Sequence, residues 1–226
     1  MKWSSIETFF LDLDGTLLDL AYDNYFWHEH IPNIYAKKNN IDLEQAKYEF
    51  EKKYRQKKNT LDWYSLDYWS KKIGIDLEHE VLNTKNRIKV FPGTINFLTN
   101  LKKHNIKIIL LTNCPRSMLN IKITQVKLWG YFDEIISSED YGFSKETKNF
   151  WKYLDKKLTY CKNKTVFIDD NQDVLKCSYN NNIKNIFCIN FPDSNKSKQN
   201  VNNFRSLDNI DCFEKKLFVS FFAIFH

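Results

Sequence analysis

The chain has five cysteines, Cys114, Cys161, Cys177, Cys188 and Cys212, with no C-x-x-C pair among them. That leaves no dithiol motif, and an odd set of thiols reads as reduced packing residues in a cytoplasmic protein. The five histidines, His28, His30, His79, His104 and His226, form no ligand-spaced set; a zinc site is not expected. No apolar run reaches the ~18–20 residues that a spanning helix requires. The opening residues, with Lys2 followed by Ser4, Ser5 and Glu7, lack the shape of a secretory leader. No membrane partner is therefore expected. The net charge of +6 could serve anionic ligands, but no nucleic-acid-binding motif accompanies it, and nucleic acid is not expected as a partner. No internal repeat is visible.

What is present suits one large domain, or a core with a smaller insert: 226 residues, 42% hydrophobic and 27% charged. Thr8 to Leu13 is an apolar run with strand character, cut by Asp14-Gly15-Thr16. Helical spacing follows over 23–37, 43–57, 61–72 and 78–87. In the second of these Ala46, Phe50 and Tyr54 recur every fourth residue. After Phe91-Pro92-Gly93 the pattern changes to helices alternating with strands. Helices are expected over 94–103, 116–129, 145–158 and 173–180. Strands are expected over 106–111, 134–137, 165–168 and 185–189. That alternation predicts an α/β fold: a three-layer, Rossmann-like parallel sheet with helices on both faces. Residues 1–19 and 91–211 form the expected core. The all-helical block 20–90 interrupts it as an inserted cap, and 212–226 is an apolar tail without an assigned role.

In an open parallel sheet, ligands bind off the carboxyl ends of the strands. Asp12, Asp14, Gly15 and Thr16 follow the first strand, Thr112 and Asn113 the second, and Asp169 and Asp170 the fourth. Ser144-Lys145 precedes a helix. These segments would bring four carboxylates, a hydroxyl and an ammonium to one pocket. Four carboxylates cannot all ionise together without a counter-charge. A hard divalent cation with oxygen ligands supplies it, Mg²⁺ being the usual one. A lysine and a threonine at the same rim suit a phosphate. The chemistry is then attack by a carboxylate on phosphorus through an aspartyl-phosphate. In D-x-D the two aspartates share a face, so one can attack while the other protonates the leaving oxygen and later activates water. Gly15 allows a sharp turn and a close approach to the phosphate.

Taken singly, these residues have plainer readings. D-x-D-G-T can be a turn after a strand, Thr112 a helix cap, and Lys145 a solvated lysine. Together, LDLDGTLLD, LLTN, the lone Lys145 and FIDD resemble, in order, the four motifs of the haloacid-dehalogenase-like hydrolase superfamily. The helical block resembles that superfamily's C1-type cap. The resemblance implies Asp12 as nucleophile and direct metal ligand. It implies Asp14 as general acid/base, lending its backbone carbonyl to the metal. Thr112 and the Asn113 backbone would bind phosphate, and Lys145 would neutralise the transition state. Asp170 is the expected direct metal ligand of the last motif, with Asp169 close by and their order open. Ser144 and Asn171 depart from the residues frequent at their places.

LDLAYDNYFW, TLDWYSLDYWSKKIGIDL, YGFSKE and NFPDS are similar to small 5′-nucleotidases of this superfamily that act on GMP and IMP. That implies a purine nucleoside monophosphate as substrate and a monomer or weak homodimer. Sugar-phosphate phosphatases and phosphoglucomutase-like phosphotransferases share the core motifs and are the alternative; a non-catalytic nucleotide- or RNA-binding module is more remote. A dehalogenase has no use for Asp14 and the Asp169-Asp170 pair, because halide leaves without a proton or a metal. The aromatic set Tyr25, Phe26, Trp27, Trp63, Tyr64, Tyr68 and Trp69 is read as helix core, with one or two rings free to stack on a base. Asp23, Asn24 and Asp67 are each read either as surface or capping residues or as contacts to base or ribose. Asp19 is expected at the hinge.

Overall fold

The computed structural model describes residues 5–213. Six parallel strands form one sheet: β1 (Thr8–Leu11), β2 (Lys107–Thr112), β3 (Glu134–Ser137), β4 (Thr165–Asp169), β5 (Asn185–Ile189) and β6 (Arg205–Leu207). They run in the order β3-β2-β1-β4-β5-β6. β1 therefore lies between β2 and β4, with Leu11 in register with Leu110 on one side and Ile168 on the other. The carboxyl ends of the three strands emerge side by side where the strand order reverses, the place at which such sheets bind ligands.

Strands this deep are apolar on both faces, and alternation divides their side chains between two layers. Phe9, Leu11, Ile108, Leu110, Val166 and Ile168 belong to one buried cluster. Phe97, Leu98 and Leu101 of the helix α7 (Thr94–Lys103) and Met118, Leu119 and Ile123 of α8 (Arg116–Val126) join it. Phe10, Ile109, Leu111 and Phe167 face the other way, against Phe150, Trp151 and Leu154 of α9 (Lys148–Lys157) and Val174 and Leu175 of α10 (Gln172–Asn180). The fold is thus the expected three-layer α/β sandwich. A strand as short and polar as Arg-Ser-Leu was not expected; β6 pairs with β5 through Cys188 and Ser206. Cys212 and Phe213 close a short helix, α11 (Ile210–Phe213). Residues 214–226 of the apolar tail lie outside the described residues. No helix among the described residues is long and apolar enough to cross a membrane.

Between β1 and α7 every regular element is helical: α1 (Ala21–Tyr25), a π-helical turn (Phe26–His30), α2 (Ile31–Asn39), α3 (Leu43–Arg55), α4 (Leu61–Tyr64), α5 (Leu66–Ile73) and α6 (Leu77–Thr84). The chain leaves and returns side by side: Leu18 and Val90 form an antiparallel bridge, and the Asp19 N–H donates to the Lys89 carbonyl at 2.9 Å. The single helix expected over 61–72 is two, because Ser65 is extended (φ −73°, ψ 116°) and its hydroxyl caps α5 by accepting from the Tyr68 N–H at 3.1 Å. The helix expected from 145 starts at Lys148 instead. Ser144 to Thr147 form a turn, closed by the Thr147 N–H to Ser144 carbonyl bond at 3.0 Å.

Candidate active site

Asp12 is the first residue beyond β1, and its N–H still donates to the Ile168 carbonyl at 3.0 Å. The ladder therefore fixes where its carboxylate stands. Asp169 ends β4, and Asp170 follows it. Carboxylate oxygens of Asp12, Asp169 and Asp170 lie within 4.8 Å of one another. One ammonium serves them: Lys145 Nζ is 2.5 Å from Asp12 Oδ1 and 2.8 Å from Asp169 Oδ2, and it also donates to the Leu111 carbonyl at 3.0 Å. Asp170 makes no ion pair with any described residue.

The turn that displaced the start of α9 is what delivers this lysine. Both backbone polar groups of Lys145 are held: its N–H donates to Asn113 Oδ1 at 2.9 Å, and its carbonyl accepts from Trp151 Nε1 at 2.8 Å. A residue inside a regular helix would have given those groups to its own turn.

Two buried carboxylates, a partly buried third and one ammonium leave excess negative charge, and the acidities follow it. Burial pushes the Asp12 carboxyl up to about 8, although Lys145 pulls it back. Burial raises Asp169 too, again against Lys145. Asp170 is pushed well up by burial and by the neighbouring charges of Asp169 and Asp12. Burial works to lower Lys145, but Asp12 and Asp169 outweigh it and hold the ammonium above the usual lysine range.

Gly15 has φ +84°, and a Cβ there would lie 2.7 Å from Asp170 Cγ. The glycine is required by Asp170 packed against it. A cavity of about 250 Å³ opens on these groups. Asp12, Asp14, Thr112, Asn113, Lys145, Asp169 and Asp170 line its floor, while Asp23, Asn24, Trp27, His28, Tyr54, Trp63 and Tyr64 of the helical segment line the facing wall. Gly15 and Thr16 stand behind the floor and do not line the cavity. Thr16 is fully buried, and its hydroxyl has no partner among the described residues. The Thr112 hydroxyl accepts from the Cys114 N–H at 3.0 Å.

The chain as a whole is similar to known proteins. Residues 9–188 match the model of the family described as haloacid dehalogenase-like hydrolase. The chain belongs to the haloacid dehalogenase-like hydrolase family. It is 32% identical over 208 residues to the GMP/IMP nucleotidase YrfG of Escherichia coli, covering 92% of this chain and 94% of that protein. A phosphatase of the family from Thermococcus onnurineus superposes with a TM-score of 0.78 at 19% identity, covering 94% of this chain and 98% of that one. YfnB of Bacillus subtilis, a structure bound to magnesium, superposes with a TM-score of 0.68 at 16% identity, covering 94% of this chain and 98% of that one.

Two residues that matter in this haloacid dehalogenase-like hydrolase were not anticipated. Glu146 joins the helical segment to the floor of the site. It accepts from the Tyr64 hydroxyl at 2.6 Å, from Asn113 Nδ2 at 3.0 Å and from Asn171 Nδ2 at 3.1 Å. Nearby, the Ser144 hydroxyl donates to the Asn59 carbonyl at 3.0 Å. Lys122 is fully buried on α8 and meets Asp14 Oδ1 at 2.7 Å and Asp23 Oδ1 and Oδ2 at 2.7 and 2.8 Å. The Asp14 carboxylate thus turns to Lys122, outside the group formed by Asp12, Asp169 and Asp170. A signal for Lys122 did exist: it shares the buried helix face of Met118, Leu119 and Ile123, where a lysine needs a partner.

Asp19 lies where the chain enters the helical segment, its Oδ1 accepting from the N–H groups of Ala21 and Ser194, both at 3.0 Å. Asn24 donates to Asp193 at 2.6 Å, and Asp67 is an exposed partner of Lys71 at 2.7 Å. Of the aromatic set, Phe26 and Trp69 are fully buried, whereas Trp27, Trp63 and Tyr64 reach the cavity wall.

Proposed function

We propose that the chain is a Mg²⁺-dependent phosphomonoesterase that hydrolyses purine nucleoside 5′-monophosphates, GMP and IMP, with residues 20–90 acting as a cap over the core. The observation that carries the reading is the charge balance of the floor: Asp12, Asp169 and Asp170 face one another with Lys145 as their one ammonium. Such a set fits a hard cation with oxygen ligands. Asp12, Asp169, Asp170 and the Asp14 carbonyl would hold it. When bound, Mg²⁺ offsets carboxylate charge and neutralises phosphate oxygens.

Asp12 then attacks phosphorus. The phosphorus–ester bond breaks with its electron pair on the ester oxygen, which takes the Asp14 proton and leaves as the nucleoside. A water oxygen attacks the aspartyl-phosphate while Asp14 takes its proton. The bond to Asp12 breaks, and phosphate departs with both groups restored. Lys145 stays at Asp12 throughout and offsets charge on the transferring group. Thr112 and the Asn113 backbone hold the phosphate. The similarity to the E. coli nucleotidase and the aromatic wall of the cavity support a purine nucleoside as leaving group over a simple sugar.

Phosphate release from GMP, IMP, AMP and glucose 6-phosphate tests this. GMP and IMP should be cleaved fastest, and EDTA should abolish release until Mg²⁺ is restored. A sugar phosphate cleaved faster than GMP would instead select the sugar-phosphate reading. Gly15→Ala tests the floor separately. A Cβ pressed against Asp170, in a backbone conformation costing about 1 kcal/mol or more without glycine, should raise the Mg²⁺ concentration needed for half-maximal rate. An unchanged Mg²⁺ dependence would remove Asp170 from the metal set.

A further inference from the structure

Two lysines are buried among the described residues, Lys145 and Lys122. The hydrolytic cycle above uses the first and leaves the second unexplained. A buried ammonium is costly unless it is well paired. Lys122 is paired asymmetrically: Asp23 gives it both oxygens, whereas Asp14 gives it Oδ1 alone. The ammonium also lies over the ring of Tyr22, 5.6 Å from its centroid. Asp23 and Tyr22 belong to α1 and Lys122 to α8, so the ammonium bridges these two helices. Asp14 belongs to neither. It stands in the loop after β1 and lines the cavity.

The geometry points to Lys122 as a positioning residue for Asp14: anchored by Asp23, it fixes Oδ1 so that the other carboxyl oxygen is the one presented to the ester. This rests on the phosphomonoesterase reading and adds to it a part of the machinery that touches no substrate. A loop carboxyl has two χ angles to settle, and proton transfer needs its oxygen within hydrogen-bond reach of the leaving group. A bond to one oxygen from an immobile cation removes that freedom and leaves the second oxygen for the proton. The plainer alternative is that Lys122 only ties α1 to α8. That role would affect all substrates alike.

Leaving groups separate the two roles. The 5′-alkoxide of a nucleoside must be protonated as it departs, whereas p-nitrophenolate leaves without a proton. Rapid-mixing measurement of the first turnover on GMP (or the aliphatic ester cleaved fastest) and on p-nitrophenyl phosphate reads the step directly. In Lys122→Met, which keeps the side-chain length, the first turnover of GMP should slow by about a hundredfold. The first release of p-nitrophenol should stay within about threefold of the unmodified protein. It should appear as a burst, because water attack on the aspartyl-phosphate still needs Asp14. The concentration of each ester that gives half the maximal first-turnover rate should be unchanged. Equal slowing of both first turnovers, or slowing of neither, overturns the proposal. Should Lys122→Met not fold, Asp23→Asn keeps Lys122 and the packing but weakens the anchor. About a tenfold loss confined to GMP is expected there, and equal losses overturn it. If the unmodified protein cleaves neither ester, the phosphomonoesterase reading itself falls, an outcome distinct from any result with the variants.

Discussion

Asp12→Asn is expected to reduce phosphate release by about 10,000-fold or more while leaving the protein folded. The carboxamide has the size of the carboxylate and cannot form the aspartyl-phosphate. Rapid acid quenching during turnover of 5′-³²P-labelled GMP should therefore trap label on the unmodified chain and none on the variant. The stability expectation runs opposite to that of an ordinary buried ion-pair mutation. Burial holds the Asp12 carboxyl up at about 8 despite Lys145, so without a metal its ionised form is disfavoured in the folded state. A raised acid costs nothing below its unfolded value near 4. Its cost grows as pH rises and is complete above the folded value. Removing the charge removes that cost, and Lys145 keeps Asp169 at 2.8 Å. In EDTA at pH 8 the variant should melt no lower than the unmodified protein, and Mg²⁺ should raise its Tm less. A variant that still releases phosphate at an appreciable rate would sink the nucleophile assignment.

The sheet was legible because its interior strands are mainly apolar runs, IKIILL and TVFI, each ended by the polar residues that line the site. Period alone cannot show where a helix yields to a site. In KETKNFW only Thr147, the N-cap of α9, hints that Lys145 and Glu146 lie outside the helix; of the bonds that hold them, those from Asn113 and Tyr64 come from distant segments. Tyr64 is 82 positions from Glu146, and Asp14 is 108 from Lys122. Such pairings follow from topology, and no local pattern encodes them. Asp23 illustrates the same limit. Its neighbours suggested cap or substrate contact, but a lysine 99 positions away sets its environment and burial pushes its carboxyl up to about 7. The convergence of Asp12, Thr112 and Asp169 was readable because it depends only on strand ends and strand order, whereas Lys145 reaches them through a turn held by Asn113 and Trp151.

Lys145→Met should cost both activity and stability, and pH should reveal why. The variant removes the one ammonium that faces Asp12 and Asp169. Charge on the transferring phosphoryl group then lacks its fixed cation, and kcat should fall about a thousandfold. In the metal-free protein two buried carboxylates and a partly buried third would remain with no protein cation. Removing one partner of a buried pair typically costs roughly 3–5 kcal/mol. Lys145 lowers the carboxyls of Asp12 and Asp169 against the effect of burial. Without it both rise further, so the folded variant binds protons that the unfolded chain has already lost. Its stability must then fall as pH rises from about 4 through the folded values. Relative to the unmodified protein in EDTA, the Tm deficit should be large at pH 8 and small at pH 5. Mg²⁺ should narrow the deficit at pH 8, since the cation supplies the charge the lysine no longer does, but it should not restore turnover. A deficit of the same size at pH 5 and pH 8 would mean that Lys145 is held by its packing against Phe167 and by the Leu111 carbonyl, with little contribution from the two carboxylates.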